Sequence, residues 1–107
     1  MEPKYSSIEK IFFRKKCALY TCHSSVYYQK SGNLNLSYGE AYNNLVNIHS
    51  KLYPDRYRIK PGYPEKSLLI NRLEGTLICG VSLERAKVYK EEIEIIRQWI
   101  RNGAIKD

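Results

Sequence analysis

The stretch at residues 17–23 reads Cys17-Ala18-Leu19-Tyr20-Thr21-Cys22-His23. It closes the first predicted helix, which begins at the capping-box pair Ser6 and Glu9. In that helix Ile8, Ile11 and Phe12 recur at helical intervals. The two thiols and the imidazole therefore lie where a helix is predicted to give way to a polar loop.

Two cysteines followed directly by a histidine are typical of c-type haem attachment. In that chemistry both thiols add to the haem vinyl groups and the histidine binds the iron. The adjacency of Cys22 and His23 is the informative feature, because four residues separate Cys17 from Cys22 where two are usual. A bulged loop can still bring both sulfurs to one porphyrin edge. The segment therefore predicts one covalent haem c held by Cys17, Cys22 and His23.

Two other chemistries stay open for the same residues. Cys17 and Cys22 can form a local disulfide that leaves His23 exposed. A zinc ion can instead draw on these cysteines, Cys79 and one histidine, although a second close ligand pair is missing from the sequence. A disulfide or a zinc ion would suit a small basic module that binds nucleic acid. Such a protein would be colourless, and its binding to DNA would depend on the salt concentration.

The middle of the chain predicts a second helix and an irregular loop. Ser37 and Glu40 have capping-box spacing, and the apolar face that follows extends to about residues 49–50. That face consists of Ala41, Leu45 and Ile48. Prolines and a glycine among basic and tyrosine residues predict an irregular, partly extended loop over residues 53–63.

Two more helices complete the prediction. Pro64 suits the first position of a short third helix that Gly75 ends. Its apolar face consists of Leu68, Leu69 and Leu73. The last helix ends at Asn102 and Gly103, and either Ser82 caps a long form or Lys90 begins a short one. Its apolar stripe consists of Ile93, Ile96, Trp99 and Ile100. With strand patterns scarce, we expect an all-α protein with one domain over residues 1–107.

Composition limits the remaining choices. Among 107 residues, 18 are basic and 11 acidic, which gives a net charge of +7 and favours acidic partners. Tyrosine accounts for ten residues, so a purely aliphatic core would be thin and a cofactor would help to fill it. No apolar run approaches the ~20 residues that span a bilayer, so we expect no membrane span. The first residues lack the pattern of a secretory signal, which fits either a cytosolic chain or a processed one.

The succession of motifs resembles monohaem class I c-type cytochrome domains over nearly the whole chain. The segments that carry the resemblance are Asn33-Leu34-Asn35-Leu36, Ala41-Tyr42-Asn43-Asn44-Leu45-Val46-Asn47, Arg58-Ile59-Lys60-Pro61-Gly62, Pro64-Glu65-Lys66-Ser67-Leu68-Leu69-Ile70, Leu73-Glu74-Gly75, Ile96-Arg97-Gln98-Trp99-Ile100 and Asn102-Gly103-Ala104. The resemblance implies a class I cytochrome c-like fold, with about four helices around one covalent haem. The first and last helices would cross beside the haem, so that Ile8, Ile11 and Phe12 meet Ile96, Trp99 and Ile100.

One departure from that family concerns the second axial ligand of the iron. Members usually supply a methionine before the last helix, but the only methionine here is Met1, and Leu83 stands about where that methionine is expected. We favour Cys79, because thiolate binds ferric iron well and Cys79 is the one cysteine that the haem-binding segment does not use. A vacant position, His49 or a lysine stay open, and so does a buried, inert Cys79.

The resemblance further implies a function and its setting. We expect low-potential electron transfer with His23 and Cys79 as axial ligands, or else binding of a diatomic gas such as NO or CO at a displaceable Cys79. No arrangement of catalytic residues is evident, so we do not expect an enzyme.

The partner would be an acidic redox protein. Formation of a homodimer or a heterodimer stays open, and nucleic acid is not expected as a partner. Arg58 and Lys60 would bind haem propionates, unless their loop is simply solvated. Haem c attachment implies a periplasmic or other extracytoplasmic compartment.

Overall fold

Helices are the regular elements of the part of the chain that the computed structural model describes, residues 1–17, 34–37, 39–74 and 88–107. The elements are α1 (Tyr5–Ile8), a π-helix (Glu9–Cys17), α2 (Ala41–Leu45), a 3₁₀ turn (Pro64–Lys66), α3 (Leu68–Glu74) and α4 (Lys90–Arg101). In these ranges extended pairing is limited to isolated β-bridges. The predicted all-α class is confirmed for the described residues.

The N-terminal cap of α1 differs from the prediction. Ser6 lies inside the first turn of the helix, and its backbone N–H donates to Asp107 Oδ1 at 2.8 Å. The Ser6 hydroxyl donates to Asp107 Oδ2 at 2.6 Å. The capping box of Ser6 and Glu9 is therefore wrong, because a carboxylate from 101 positions away in sequence takes the role that Glu9 was expected to fill.

The segment that leads to Cys17 is a π-helix rather than a continued α-helix. Its i→i+5 hydrogen bonds turn the chain less per residue than the α-helix, which has about 3.6 residues per turn. Positions counted at α-helical spacing then drift off the buried face. Phe12 and Phe13 are fully buried whereas Ile11 is 37% exposed, so the expectation that Ile11 packs against the last helix is wrong.

Helix α2 is shorter than predicted. It ends at Leu45, and Val46 is already extended. Asn47 adopts the left-handed conformation with φ 62°, which a helix cannot continue through. Glu40 occupies the N-cap position without a side-chain capping bond, so the box of Ser37 and Glu40 is also wrong. Ala41 and Leu45 are buried as predicted.

Bridges hold the irregular loop after α2. Val46 pairs with Ile59, and Tyr57 pairs with both His49 and Ser67. Backbone hydrogen bonds support this pairing, including Arg58 N–H to Ile48 O at 2.7 Å. The prediction of an irregular, partly extended loop over residues 53–63 is confirmed.

The third predicted helix is divided in two. Pro64 occupies the first position of the 3₁₀ turn, as its fixed φ favours, and α3 begins only at Leu68. Ser67 lies between them with extended backbone. Helix α4 begins at Lys90, where the Glu92 carboxylate accepts the Tyr89 backbone N–H at 3.0 Å. It ends at Arg101, and Gly103 has the positive φ, 108°, that a helix C-terminus uses.

One hydrophobic core joins these elements. Helix α4 packs on α3 and on the 3₁₀ turn. The Tyr5 and Trp99 rings are 5.8 Å apart, which brings α1 against α4. The expectation that apolar residues of the first and last helices share a core is confirmed for Ile8, Phe12, Ile96, Trp99 and Ile100.

Within residues 1–17, 34–37, 39–74 and 88–107, none of the helices has the length and apolar character needed to cross a bilayer.

Candidate functional site

The cysteine and histidine segment begins at the end of the π-helix. Cys17 is the last residue of that helix. The side chain of Cys17 and the residues Cys22, His23, Cys79 and Leu83 lie outside the described part of the structure. Among the described residues, no group of three or more histidine, cysteine, aspartate or glutamate side chains could hold a metal ion.

Arg58, one of the two predicted propionate-binding residues, is a buried cation. Its side chain is 8% exposed, and Nη1 donates to the Asn44 carbonyl oxygen at 2.8 Å near the end of α2. A cation at this end of a helix is favoured by the helix dipole. Burial lowers the pKa of the Arg58 guanidinium from its usual value. The arginine is therefore a fixed positive charge inside the protein.

Lys60, the other predicted residue, lies among tyrosines. Its Nζ is 5.7 Å from the centre of the Tyr57 ring and 5.1 Å from that of Tyr63. Lys66 Nζ is 5.4 Å from the same Tyr63 ring, and Arg56 lies 5.9 Å from the Tyr53 ring. We call this set the basic–tyrosine surface. Its members are Tyr53, Arg56, Tyr57, Lys60, Tyr63 and Lys66.

The cations of the basic–tyrosine surface lie on aromatic rings and have no acidic partner among the described residues. Within the described ranges, ion pairs form at Lys4 and Arg97, and none involves Arg56, Lys60 or Lys66. Cation–π contacts at exposed sites contribute about 0.5–1 kcal/mol each, which restricts these flexible side chains without neutralising them. The surface therefore keeps its positive charge.

Ser67 is buried beneath the basic–tyrosine surface and bonds its backbone, a role that the sequence analysis did not predict. The side chain is fully buried; its Oγ accepts the Lys60 backbone N–H at 2.9 Å and donates to the Tyr63 carbonyl oxygen at 2.9 Å. One hydroxyl thus ties together the backbone of the two central residues. Only the position of a serine directly after Pro64-Glu65-Lys66 could have indicated such a role, because serine side chains often bond nearby backbone.

His49, considered as an alternative iron ligand, lies at the edge of the surface. Its ring stacks on Tyr57 with centroids 4.3 Å apart, and Nδ1 is 3.0 Å from the Pro54 carbonyl oxygen. The side chain is exposed. These contacts are those of a surface histidine.

Trp99, predicted to lie beside the haem, is 2% exposed in the core. Its indole N–H donates to the Ile105 carbonyl oxygen at 3.0 Å. The polar atom of the ring is therefore occupied within the chain, and what Trp99 offers a neighbour is its apolar surface.

A buried polar network around Tyr5 was not predicted. The Tyr5 hydroxyl donates to Glu9 Oε2 at 2.8 Å and accepts the Tyr42 backbone N–H at 3.1 Å. The same Glu9 oxygen accepts the Gly39 N–H at 3.0 Å. Burial, followed by the hydrogen bond to Glu9, raises the pKa of Tyr5 above its usual range. The i, i+4 spacing of Tyr5 and Glu9 was the available signal.

Comparison of the chain with known proteins adds no relative. No family model, no curated protein and no solved structure matches it.

Proposed function

We propose that the chain is a monohaem c-type cytochrome that transfers electrons at low potential and is not an enzyme. Cys17, Cys22 and His23 would hold one covalent haem, which supplies a one-electron iron couple when bound. Its setting would be periplasmic or otherwise extracytoplasmic, and its partner would be an acidic redox protein.

One observation carries this proposal: a histidine directly follows the second of two cysteines, and the first cysteine ends the N-terminal helical segment. In c-type haem attachment both thiols bond to the haem vinyl groups and the adjacent imidazole binds the iron, so this order of residues suits one haem. The π-helical geometry just before Cys17 adds support, because such windings occur frequently at functional sites.

The arrangement of helices is compatible with the class I cytochrome c fold, which we include in the proposal. In that fold the first and last helices pack together beside the haem. The shared core of Ile8, Phe12, Ile96, Trp99 and Ile100 supports this arrangement. Trp99 would contribute apolar packing, since its N–H is bonded to Ile105.

The described residues also fit the acidic groups of a haem. Arg58 could bind a propionate in a bidentate manner, because the N–H donors of a guanidinium match the two oxygens of a carboxylate. Lys60 is half-buried, and its ammonium group has no carboxylate partner among the described residues, so it could accept a second propionate. Arg58 is therefore the stronger candidate and Lys60 the weaker one.

Cys79 is the proposed sixth ligand, with His49, a lysine or an open position as alternatives. An exposed His49 stacked on Tyr57 would have to leave that contact to bind iron. Leu83 stands where a methionine is usual in the resembled family, so the sixth position is proposed for Cys79 instead of a thioether. A Cys79 ligand that leaves the iron on reduction would open that position to a diatomic gas, which makes gas binding the second candidate function. The two functions differ in whether the reduced protein exchanges electrons rapidly with a partner or binds carbon monoxide tightly.

Covalent haem attachment gives the decisive test. The chain is produced in a host with a haem c maturation system and examined by absorption spectrum, pyridine haemochrome and intact mass. We expect a Soret band and the mass of polypeptide plus one haem. Cys22→Ser and His23→Ala should lose or greatly weaken these signals, whereas Cys79→Ser should keep the covalent haem as a matched cysteine control. A mass equal to the bare polypeptide, without a Soret band, would overturn the proposal.

A further inference from the structure

Between His49 and Lys66 the chain carries five basic and two acidic residues, a stronger excess than in the sequence as a whole. Three of the five, Arg56, Lys60 and Lys66, lie on tyrosine rings. Two large apolar side chains are exposed in the same segment, Leu52 at 64% and Tyr63 at 48%. Charge, aromatic rings and exposed apolar area therefore occur together in one segment.

We propose that the basic–tyrosine surface docks an acidic segment of a partner protein. This inference rests on the proposed function in making that partner a redox protein, and it assigns Lys60 to the partner and leaves propionate binding to Arg58. Protein interfaces are enriched in tyrosine and arginine and surround an apolar centre with a polar rim. Leu52, Tyr63 and Arg56 fit that description, and the charges of Lys60 and Lys66 would complement an acidic partner.

Preorganisation strengthens the case for this surface. A free lysine loses much side-chain freedom when it binds an anion, and this loss weakens binding. Here Lys60 is already restricted between the Tyr57 and Tyr63 rings, and Lys66 rests on Tyr63. Ser67 fixes the backbone of Lys60 and Tyr63. Less ordering is therefore left for the binding step than on an ordinary basic loop.

The same contacts disfavour a single-stranded nucleic acid. Such strands bind basic grooves by stacking bases on aromatic rings. His49 and Lys60 both lie against Tyr57, and Lys60 and Lys66 both lie against Tyr63. A base would have to displace these groups, whereas carboxylates can approach the cations without moving them.

The test measures binding of a fluorescent polyglutamate peptide and of an oligothymidine of equal length, at several salt concentrations. The reference is the protein in the form in which it is purified. The charge variant is Lys60→Gln/Lys66→Gln. Its matched control is Lys10→Gln/Lys90→Gln, which removes the same charge from two exposed sites elsewhere in the chain. A third variant, Tyr63→Leu, keeps the charge but removes the ring that orders both lysines, and Tyr89→Leu is its exposed control.

We expect the peptide to bind more tightly than the oligonucleotide. The charge variant should lose about tenfold in peptide affinity and its control under threefold. Tyr63→Leu should lose about threefold and Tyr89→Leu nothing, because one cation–π ring orders both lysines. Equal losses in the two charge variants, tighter oligothymidine binding, or no effect of Tyr63→Leu would each overturn the inference. Haem content is scored separately, so a failure here is distinguishable from a failure of the proposed function.

Discussion

Ser67 is a small residue whose position in the core determines the shape of a surface. It is fully buried and uses both hydrogen-bonding capacities of its hydroxyl, one toward Lys60 N–H and one toward Tyr63 O. A buried hydroxyl without partners is costly, so its retention in the core depends on these two bonds. The same two bonds fix the backbone at Lys60 and Tyr63 and so help to place their side chains on the surface.

Replacing Ser67 by alanine should therefore cost more than a surface serine does. Ser67→Ala leaves the Lys60 N–H without its side-chain acceptor in a water-poor site, and we expect the free energy of unfolding to fall by about 1–3 kcal/mol. Urea unfolding of the wild type and of Ser67→Ala measures this difference in the free energy of unfolding. Ser50→Ala is the control, since the Ser50 hydroxyl also bonds nearby backbone but at a more accessible position. It accepts the N–H groups of Leu52 at 3.2 Å and of Tyr53 at 3.1 Å. Its loss should stay below about 1 kcal/mol; equal losses would contradict the argument.

Tyr5 gives a prediction about alkaline pH. Burial, then the hydrogen bond to Glu9, raises its pKa above the ordinary value of 10.0. Above that pH the unfolded chain releases the Tyr5 proton while the folded protein keeps it. The unfolded state then binds fewer protons, so the free energy of unfolding falls as pH rises.

Tyr5→Phe should make this fall shallower. The comparison is of urea unfolding between about pH 9 and about pH 11, where an ordinary tyrosine titrates. Tyr63→Phe, at a ring that is 48% exposed, is the matched control and should follow the wild-type slope. A Tyr5→Phe curve parallel to the wild type would show that Tyr5 ionises as readily in the folded protein as in the unfolded chain.

At the scale of elements, α1 depends on a carboxylate distant in sequence. Asp107 accepts the backbone N–H and the hydroxyl of Ser6, and a negative charge at a helix N-terminus is favourable. These hydrogen bonds, side-chain first, lower the pKa of Asp107 below its usual value. The stabilisation is therefore present above the unfolded-state pKa and is lost as pH falls through the folded-state pKa.

Asp107→Ala should lower the thermal stability at neutral pH and speed amide exchange at Ser6. The difference from the wild type should shrink in acid, as the folded-state Asp107 becomes protonated. Asp55→Ala is a suitable control, because Asp55 is also an exposed aspartate. A stability difference that persists unchanged at low pH would mean that the carboxylate charge is not what caps α1.

These elements also show how far sequence patterns reach. The stripe of α4 and its stop at Gly103 were predictable, because apolar periodicity and a glycine act locally. The cap of α1 was not, because its acceptor is remote in sequence. The prediction placed Ile11 on the buried face because it assumed α-helical winding. It made α2 too long because the left-handed conformation of Asn47 and the bridge at Val46 depend on tertiary pairing.

At the scale of the whole molecule, some features of the candidate site follow from the sequence and others depend on how the chain folds. The proposed haem c chemistry of Cys17, Cys22 and His23 rests on their order in the sequence alone. The burial of Arg58 is not readable from the sequence, because it results from how the loop folds back on α2. The ordering of Lys60 is not readable either, because it depends on the loop conformation that brings Tyr57 and Tyr63 to its ammonium group. A basic residue in a loop gives no sign of whether it is buried.

The proposed ligation gives a prediction for the entire redox unit. A thiolate from Cys79 would stabilise the ferric charge and hold the reduction potential below that of a His/Met cytochrome. Cys79→Ala should raise the potential, and Cys79→Ala/Leu83→Met should raise it further if Leu83 occupies the expected methionine position. Potentiometric titration of the three proteins measures both steps, with Leu83→Met alone as the control that retains the thiolate. Carbon monoxide should bind the reduced wild type and Cys79→Ala but be resisted by the methionine double variant. An unchanged potential in Cys79→Ala would remove Cys79 from the iron and leave His49, a lysine or an open position.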